Sequence, residues 1–230
     1  MIGIISDIHG NYVALASVLD RLDRLGAGEI ICLGDVAGYY CQVNECCEAL
    51  RARKIFTLMG NHDWYLAAGQ PCPRSKSANV CLDYQRGVIS KENLNWLAGL
   101  PARATLGGLN LVHGGWNDPM DEYVEPTAEY FSGLAGRHFA SGHTHLARVW
   151  TGGGKAYCNP GAVGQPRDGN PGAAFATWDG VSFGLERVHY DINAIQKAMG
   201  GAGFAPYIYE NLSKGIRIGA GAEVAGRRIE

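Results

Sequence analysis

The first sixty residues alternate short apolar runs with stretches in which apolar residues recur at helical spacing. Three apolar runs predict buried strands: Ile2–Ser6, Glu29–Leu33 and Lys54–Met59. Between them, the helical spacing of leucine and valine predicts a helix over 15–25, with Asn11 as its N-cap and Gly26 just past its C-cap, and a second helix is predicted over 44–52. The order strand, helix, strand, helix, strand predicts parallel pairing with right-handed crossovers.

The second half of the chain changes from helical to strand-like patterning near residue 104. Before that point, two helices are predicted, one over 77–87 and one beginning at a Ser90 N-cap. Beyond it, pairs of short apolar runs flank Gly107-Gly108 and Asp179-Gly180, and both dipeptides are signals for two-residue hairpin turns. Residues 191–213 predict one or two closing helices.

These elements predict a single α/β domain over residues 1–213. The preferred architecture is a four-layer α-β-β-α sandwich, in which two mixed sheets face each other and helices flank them. A single doubly wound sheet is the alternative. The Gly- and Ala-rich end, residues 214–230, is expected to be a poorly ordered tail.

Composition and charge narrow the classes of function. The chain has 230 residues, of which 47% are apolar and 18% charged, as in ordinary globular proteins. Its 20 basic and 22 acidic residues give a net charge of −2, so no global field would attract long nucleic acid or an anionic membrane. Apolar runs are too short to span a bilayer, and Asp7 interrupts the N-terminal run too early for a signal peptide. A cytoplasmic location is therefore expected.

The cysteines show no Cys-x-x-Cys spacing, so we expect reduced thiols, with a zinc or redox site as the alternative. They are seven in number and lie at positions 32, 41, 46, 47, 72, 81 and 158. No role is assigned to the cluster formed by Cys41, Cys46 and Cys47.

Five polar clusters bounded by glycine follow predicted strands. They are SDIHGN at 6–11, GDVAG at 34–38, GNHD at 60–63, HGG at 113–115 and GHTH at 142–145. Ligand sites in α/β sheets lie beyond the carboxyl ends of strands, so these clusters are expected to meet at one edge.

The clusters together offer oxygen and nitrogen ligands for a pair of metal ions. The candidates are Asp7, His9, Asp35, Asn61, His113, His143 and His145. Residues two apart project to the same side of extended backbone, so the Asp7/His9 and His143/His145 pairs are each expected to reach one small volume. The set contains too much imidazole for a dedicated magnesium or calcium site. Manganese is the first expectation for two divalent ions, with iron, zinc or nickel as alternatives.

Each candidate has a structural explanation when it is considered alone. An aspartate that opens a loop can cap a helix, a single buried histidine such as His113 is often only hydrogen-bonded, and Asn61 suits a turn. His138 and His189 lie outside the clusters and are interpreted as structural. The other five of the seven histidines all fall within the clusters, which favours a functional site.

In this order, the motifs DIH, GDVAG, GNHD, HGG and GHTH resemble the calcineurin-like metallophosphoesterase superfamily. The segment NPGAVGQPRDG at 159–169 is similar to the one that follows GHTH in the small bacterial branch of that superfamily. The resemblance covers residues 1 to about 212. It implies an α/β sandwich and a metal-dependent phosphoesterase.

The resemblance implies a place for each ligand candidate. The first ion would be held by Asp7, His9 and His145, the second by Asn61, His113 and His143, and both by Asp35. Two ions roughly 3.5–4 Å apart would lower the pKa of a bridging water toward about 7, and the resulting hydroxide would attack the phosphorus in line. No protein nucleophile would be needed.

Three further residues receive catalytic or substrate-binding roles. The resemblance places His62 above the substrate phosphate, as a proton donor to the leaving group, with Asp63 supporting it. Arg167 is a candidate clamp for a second phosphate or distal group, with a surface arginine in a turn as the alternative. The expected substrate is a small phosphodiester, phosphomonoester or nucleotide polyphosphate.

Two other functions stay open. One is a phosphoprotein (Ser/Thr) phosphatase, although GDVAGYY and GNHD stand where that branch has an arginine-bearing GDxVDRG and GNHE. The other is a non-catalytic metal-binding scaffold for protein interactions. Scaffolds that resemble this family lack part of the histidine set, which is complete here. The sequence indicates no oligomeric state.

Overall fold

The computed structural model describes residues 1–219, which form two five-stranded sheets. The strands are β1 (Ile2–Ile5), β2 (Glu29–Cys32), β3 (Phe56–Thr57), β4 (Arg103–Leu106), β5 (Leu109–Val112), β6 (His138–Ala140), β7 (Arg148–Gly152), β8 (Lys155–Asn159), β9 (Ala173–Trp178) and β10 (Phe183–Val188). The α-helices are α1 (Tyr12–Arg24), α2 (Val43–Ala52), α3 (Asn61–Ala67), α4 (Lys76–Val88), α5 (Lys91–Ala98), α6 (Ala128–Ser132) and α7 (Ile192–Gly201). Short 3-10 helices follow at Pro206–Ile208 and Glu210–Lys214.

Both sheets are mixed, which confirms the predicted fold class. The first has the order β10-β9-β1-β2-β3, in which β1, β2 and β3 are parallel and β9 is antiparallel to both of its neighbours, β1 and β10. The second has the order β4-β5-β6-β8-β7, with β5, β6 and β8 parallel. Because each sheet has three parallel strands, their carboxyl ends form one edge at which loops can converge.

The core lies on both faces of the first sheet. Successive residues of β1 point to opposite faces, so Ile4 packs between the two sheets against Leu111, whereas Ile5 packs beneath the helices. The outer face of the second sheet is covered by a smaller aromatic cluster that includes Phe131 of α6 and Tyr157 of β8. The fourth layer is therefore a five-residue helix with loops.

Several local predictions are confirmed. The Asn11 side chain accepts a hydrogen bond from the Ala14 N–H at 3.1 Å and caps α1. Ser90 caps α5 in the same way. Gly107 and Gly108, with φ of 56° and 92°, form the two-residue turn between β4 and β5.

Other predictions are corrected by the structure. The strand expected over residues 54–59 is only Phe56–Thr57, and α3, which the sequence did not predict, begins within GNHD at Asn61. The second hairpin turn is not a two-residue turn. Trp178 pairs with Phe183, and the Asp179 carboxylate accepts the N–H groups of Val181 and Ser182, which stabilises a four-residue loop.

Residues just beyond position 213 also contact the rest of the domain. The Gly169 N–H donates to the Gly215 carbonyl at 3.0 Å, and Gly215 has a φ of 63° against the backbone of Asn170. The prediction of a poorly ordered tail otherwise falls on residues 220–230, which lie outside the described residues.

All seven cysteines belong to the described residues and are free. Six are buried, and burial raises the pKa of these thiols, as at Cys81, where it reaches about 12. Over residues 1–219, no helix is both long and apolar enough to cross a membrane.

Candidate metal centre

The five polar clusters all follow carboxyl ends of parallel strands, and the structure brings them together. They leave β1, β2 and β3 of the first sheet and β5 and β6 of the second. The side chains predicted as ligands, together with His62 and Asp63, are all buried: Asp7, His9, Asp35, Asn61, His113, His143 and His145. Their shared position and burial make this edge of the sandwich the candidate site.

A first cluster consists of Asp7, His9 and His145, whose possible ligand atoms lie within 4.8 Å of one another. The Nε2 atoms of the two histidines are 3.0 Å apart. Asp7 Oδ1 is 3.7 Å from His9 Nε2 and 3.3 Å from His145 Nε2. One ion could contact all three side chains.

A second cluster consists of Asp35, His113 and His143, again within 4.8 Å. Asn61 joins it, because its Oδ1 is 3.2 Å from His113 Nε2. The same Asp35 oxygen, Oδ2, is 3.3 Å from His113 Nε2 and 3.6 Å from His9 Nε2 of the first cluster. Asp35 therefore stands between the two clusters, where a shared ligand would have to be.

Backbone carbonyls fix the imidazole tautomers. The Nδ1 atoms of His9, His113 and His145 lie 2.9, 3.0 and 2.6 Å from the carbonyl oxygens of Ala37, Leu33 and Gln165, respectively. A carbonyl oxygen can only accept, so each Nδ1 must donate. In the neutral ring, Nε2 then carries a lone pair directed into the cluster, as in histidines that bind metals.

The donor set fits divalent cations, because acceptor atoms face one another. His9 Nε2 and His145 Nε2 meet as two lone pairs. Asp7 Oδ1 and His143 Nε2 are buried without a hydrogen-bond partner among the described residues. Buried acceptors without donors are costly, and a cation among them would remove that cost.

Burial and neighbouring charge set the protonation states that a metal site requires. Burial raises the pKa of Asp7 to about 6, lowers the pKa of His143 to about 3, and lowers the pKa values of His9 and His145 well below 6.5. Neutral imidazoles are the form that binds metal. Burial would also lower the pKa of His113, but Asp35 outweighs it and raises that pKa to about 9. In the metal-free protein, a proton on His113 thus takes the place of a cation.

The backbone at these residues is left-handed, which corrects the assumption of extended backbone. Asp7 and His9 have φ of 55° and 54°, and His143 and His145 have φ of 66° and 62°. Asp7 and His9 still share one cluster, but His143 and His145 do not. His145 joins the first cluster and His143 joins the second.

Two glycines of the motifs are required by close approach. A Cβ atom at Gly60 would lie 2.1 Å from Asp35 Oδ1, and one at Gly142 would lie 2.0 Å from Ser6 Oγ and 2.8 Å from Asp7 Oδ2. Either methyl group would displace a carboxylate of the candidate site.

His62 lies at the junction of the clusters, and Asp63 lies behind it. The ring of His62 is 5.0 Å from that of His9, and its Nδ1 is buried without a partner among the described residues. The Asp63 oxygens accept the N–H groups of Ala37 and Gly60 at 2.8 and 2.9 Å. Asp63 therefore ties two loops together, and its hydrogen bonds go to the backbone and not to His62.

Arg167 lies beside the first cluster and is held by two side chains. It donates to Gln165 Oε1 at 2.8 Å and to the Tyr39 hydroxyl at 3.2 Å. Gln165 in turn accepts from His145 through its backbone oxygen, and the Tyr39 ring packs edge-on against His9. The sequence did not single out Gln165, since an amide in a Gly- and Pro-rich segment carries no specific signal.

A third group of side chains lies beside the second cluster, and its acidic member, Asp121, was also missed. Asp121 accepts from the Tyr65 hydroxyl at 3.1 Å, and its Oδ1 lies 3.9 Å from His143 Nε2. The ring of Tyr123 packs 4.4 Å from that of His143. No motif includes Asp121, and only folding of its loop brings it to the site.

The two histidines interpreted as structural lie away from the clusters. His138 packs between sheets against Trp178 and Phe183, with ring centroids 5.5 and 6.2 Å away. His189 is exposed.

Known proteins that resemble the chain cover most of its length. The family model of the calcineurin-like phosphoesterase superfamily domain matches residues 1–180. An uncharacterized protein of Methanocaldococcus jannaschii is 31% identical over 220 residues, covering 84% of this chain and 88% of that protein. A metallophosphoesterase from Sphaerobacter thermophilus is 31% identical, with a TM-score of 0.81 over 94% of this chain and 98% of that one. A hypothetical protein of Pyrococcus horikoshii OT3 shares the fold, with a TM-score of 0.83 at 18% identity over 94% and 99% of the two chains.

Proposed function

The chain belongs to the calcineurin-like phosphoesterase superfamily, and we propose that it hydrolyses a small phosphate ester with the help of two divalent metal ions. The observation that carries this proposal is the position of Asp35, whose Oδ2 lies within 3.6 Å of a histidine Nε2 in each of two clusters. The proposed substrate is a phosphodiester, a phosphomonoester or a nucleotide polyphosphate. We expect manganese first, with iron, zinc or nickel as alternatives.

Each cluster has its own set of proposed ligands. Asp7, His9 and His145 would hold the first ion, Asn61, His113 and His143 the second, and Asp35 both. When bound, two such ions supply an activated water and neutralise the charge of the phosphate oxygens. Binding of the substrate phosphate therefore needs no strongly basic protein surface, in keeping with the net charge of −2.

His62 is proposed to donate a proton to the leaving group. Its backbone N–H donates to Asp35 Oδ1 at 2.9 Å, which fixes the residue against the carboxylate shared by both clusters. Its Nδ1 is buried and has no hydrogen-bond partner among residues 1–219, so no protein group occupies that atom. Asp63 is proposed to act indirectly. Its carboxylate accepts the N–H groups of Ala37 and Gly60 and so fixes the positions of the two loops that carry them.

Arg167 is proposed to bind a second anionic group of the substrate. Gln165 and Tyr39 orient its guanidinium beside the first cluster, and a guanidinium matches two oxygens of a phosphate at once. A substrate with a phosphate or carboxylate next to the scissile group would use this contact. A simple aryl diester would not.

An activity screen tests the proposal. Purified protein stripped of metal would be assayed with Mn²⁺, Ni²⁺, Mg²⁺ and Zn²⁺ on bis-p-nitrophenyl phosphate, p-nitrophenyl phosphate, dinucleoside polyphosphates and phosphopeptides. His113→Ala should lose bound metal and turnover together. Preferential hydrolysis of phosphopeptides would favour a phosphoprotein phosphatase. Metal binding without turnover on any substrate class would favour the scaffold alternative.

A further inference from the structure

The loop after His113 folds back onto the second cluster. The Gly114 N–H donates to the Pro119 carbonyl at 2.7 Å, and the Gly115 N–H donates to the Asp118 carbonyl at 2.8 Å. A Cβ atom at Gly114 would lie only 2.9 Å from the backbone nitrogen of Asp121. The two glycines of the HGG motif therefore allow this loop to return and to bring Asp121 beside the candidate site.

Asp121 is oriented with one oxygen toward His143. The Tyr65 hydroxyl donates to Oδ2 at 3.1 Å, which leaves Oδ1 facing His143 Nε2 at 3.9 Å. Both of these facing atoms are buried without a hydrogen-bond partner among the described residues, and 3.9 Å is too long for a hydrogen bond. Two atoms that each bind one ion at about 2.1 Å can be up to about 4.2 Å apart, so the gap fits a shared cation.

The second cluster has less negative charge than the first, and the Asp121 carboxylate would make up the difference. The first cluster has its own carboxylate, Asp7, in addition to the shared Asp35. The second has Asn61 and two histidines that are neutral when they bind metal, so its charge would come from Asp35 alone. A divalent ion there would be held by half of one shared negative charge.

We propose that Asp121 is an additional acidic residue of the second metal cluster, facing the ion from the side of His143. This inference rests on the proposed function and extends it to a residue outside the five motifs. The carboxylate gives the second cluster a negative charge that it does not share, and Tyr65 keeps that charge aimed at the ion.

Arg74 offers a way to separate this role from a structural one. Its Nη2 is 3.3 Å from Asp121 Oδ1, without hydrogen-bond geometry, and both of its Nη atoms donate long hydrogen bonds of 3.5 Å to the Asp121 carbonyl. If Asp121 only anchored the loop through this ion pair, removing either partner would have the same effect. If Asp121 binds the metal ion, removing the Arg74 guanidinium would leave the full carboxylate charge for the metal and would not weaken metal binding.

Calorimetric titration of Mn²⁺ into the metal-free full-length protein, with metal content measured afterwards, tests the inference. Asp121→Asn keeps the shape and an acceptor for Tyr65, so folding should be retained. It should weaken the binding of the second ion by about 10- to 100-fold and leave the first unchanged. Tyr65→Phe should weaken the second ion by a smaller factor. Arg74→Ala should not weaken either ion.

Glu125→Gln is the matched control, since it removes a carboxylate of the same segment that pairs with Arg148 at the surface. It should bind as the wild type does. Unchanged affinity in Asp121→Asn would overturn the inference and leave the proposed function standing. An equal loss in Arg74→Ala would also overturn it, because a structural role would explain both results. A wild-type protein that binds fewer than two ions would refute both the inference and the proposed function.

Discussion

Replacing Asp35 by asparagine is the sharpest test of a shared carboxylate. Asparagine has the same shape and keeps an oxygen for the His62 N–H, which Asp35 Oδ1 accepts at 2.9 Å. It exchanges the charged Oδ2, which lies 3.6 Å from His9 and 3.3 Å from His113, for an amide that can donate. The change therefore removes the charge that faces both clusters and leaves the local packing intact.

The expected effect on stability follows from metal binding to the folded state. An ion at about 100 times its dissociation constant stabilises the folded state by about 2.7 kcal/mol, so two independent ions contribute about 5 kcal/mol. For a chain of this length, each kcal/mol raises the melting temperature by roughly 2–4 °C. Metal should thus raise the melting temperature of the wild type by roughly 10–20 °C. Asp35→Asn should lose most of this rise, whereas Asp7→Asn, which belongs to one cluster, should keep about half.

Thermal unfolding in EDTA and in excess Mn²⁺, monitored by circular dichroism, measures this difference. Asp20→Asn is the control, because Asp20 is an exposed residue of α1 that pairs with Arg24, and it should behave as the wild type. If metal raised the melting temperature of Asp35→Asn as much as that of the wild type, the idea that this carboxylate binds ions in both clusters would be refuted. Equal losses in Asp35→Asn and Asp7→Asn would refute the difference between shared and unshared ligands.

Three further predictions concern catalysis, packing and pH. His62→Gln should keep both ions by metal analysis and lose about 10²- to 10⁴-fold in kcat; unaltered kcat would exclude proton transfer by this ring. Gly60→Ala should destabilise the protein by about 1–3 kcal/mol in urea and weaken metal binding, because its methyl group would meet Asp35, whereas Gly87→Ala in open space should not destabilise it. In the metal-free protein, burial would lower the pKa of His113 but Asp35 raises it to about 9, above the 6.5 of an ordinary histidine. The stabilisation that this proton contributes is complete below pH 6.5 and is lost as the pH rises through 9. Between pH 7 and 8, the free energy of unfolding measured in urea should therefore fall by roughly 1 kcal/mol more in the wild type than in His113→Gln. Parallel pH profiles would contradict this assignment.

The fold was predictable where apolar runs are continuous. β1 and the last three residues of β2 are buried on both faces or nearly so, and their uninterrupted apolar sequences predict central parallel strands. The start of α3 was missed because its first residues, Asn61 to Asp63, are polar side chains of the candidate site and show no apolar helical spacing. The loop of residues 179–182 was missed because Asp179 caps it by hydrogen bonds that a dipeptide pattern does not reveal.

The candidate ligands were predictable because each lies in a short motif directly after a strand. Residues that reach the site from elsewhere carried no comparable signal. Asp121 depends on a loop that turns back after Gly115, and Gln165 holds His145 through a backbone oxygen that any residue could supply. The tautomers and protonation states of the site residues could not be predicted from the sequence either, since they follow from carbonyl positions and burial that exist only in the folded chain.

The backbone of the site is strained where ions are proposed to bind. Within residues 1–219, six non-glycine residues have positive φ, and five of them are candidate ligands: Asp7, His9, Asp35, His143 and His145. A left-handed conformation costs roughly 1–2 kcal/mol per residue, so the five together cost about as much as the whole stability of a small domain. Hydrogen bonds between loops, such as Asp7 N–H to the Gly34 carbonyl at 3.0 Å and His9 N–H to the Asp35 carbonyl at 2.9 Å, hold the strained segments in place.

The strain has a specific geometrical result. Ile8 is absent from the left-handed set and points into the core, while the flanking Asp7 and His9 point into one cluster. A surface used only to bind a protein partner would require no such arrangement of buried acceptors, because its contact residues would have to be exposed. Strain that is concentrated at buried, mutually facing acceptors is instead what a site for cations requires, since ion binding offsets both the strain and the lone-pair repulsion. The backbone therefore supports the proposed metal site independently of the motifs.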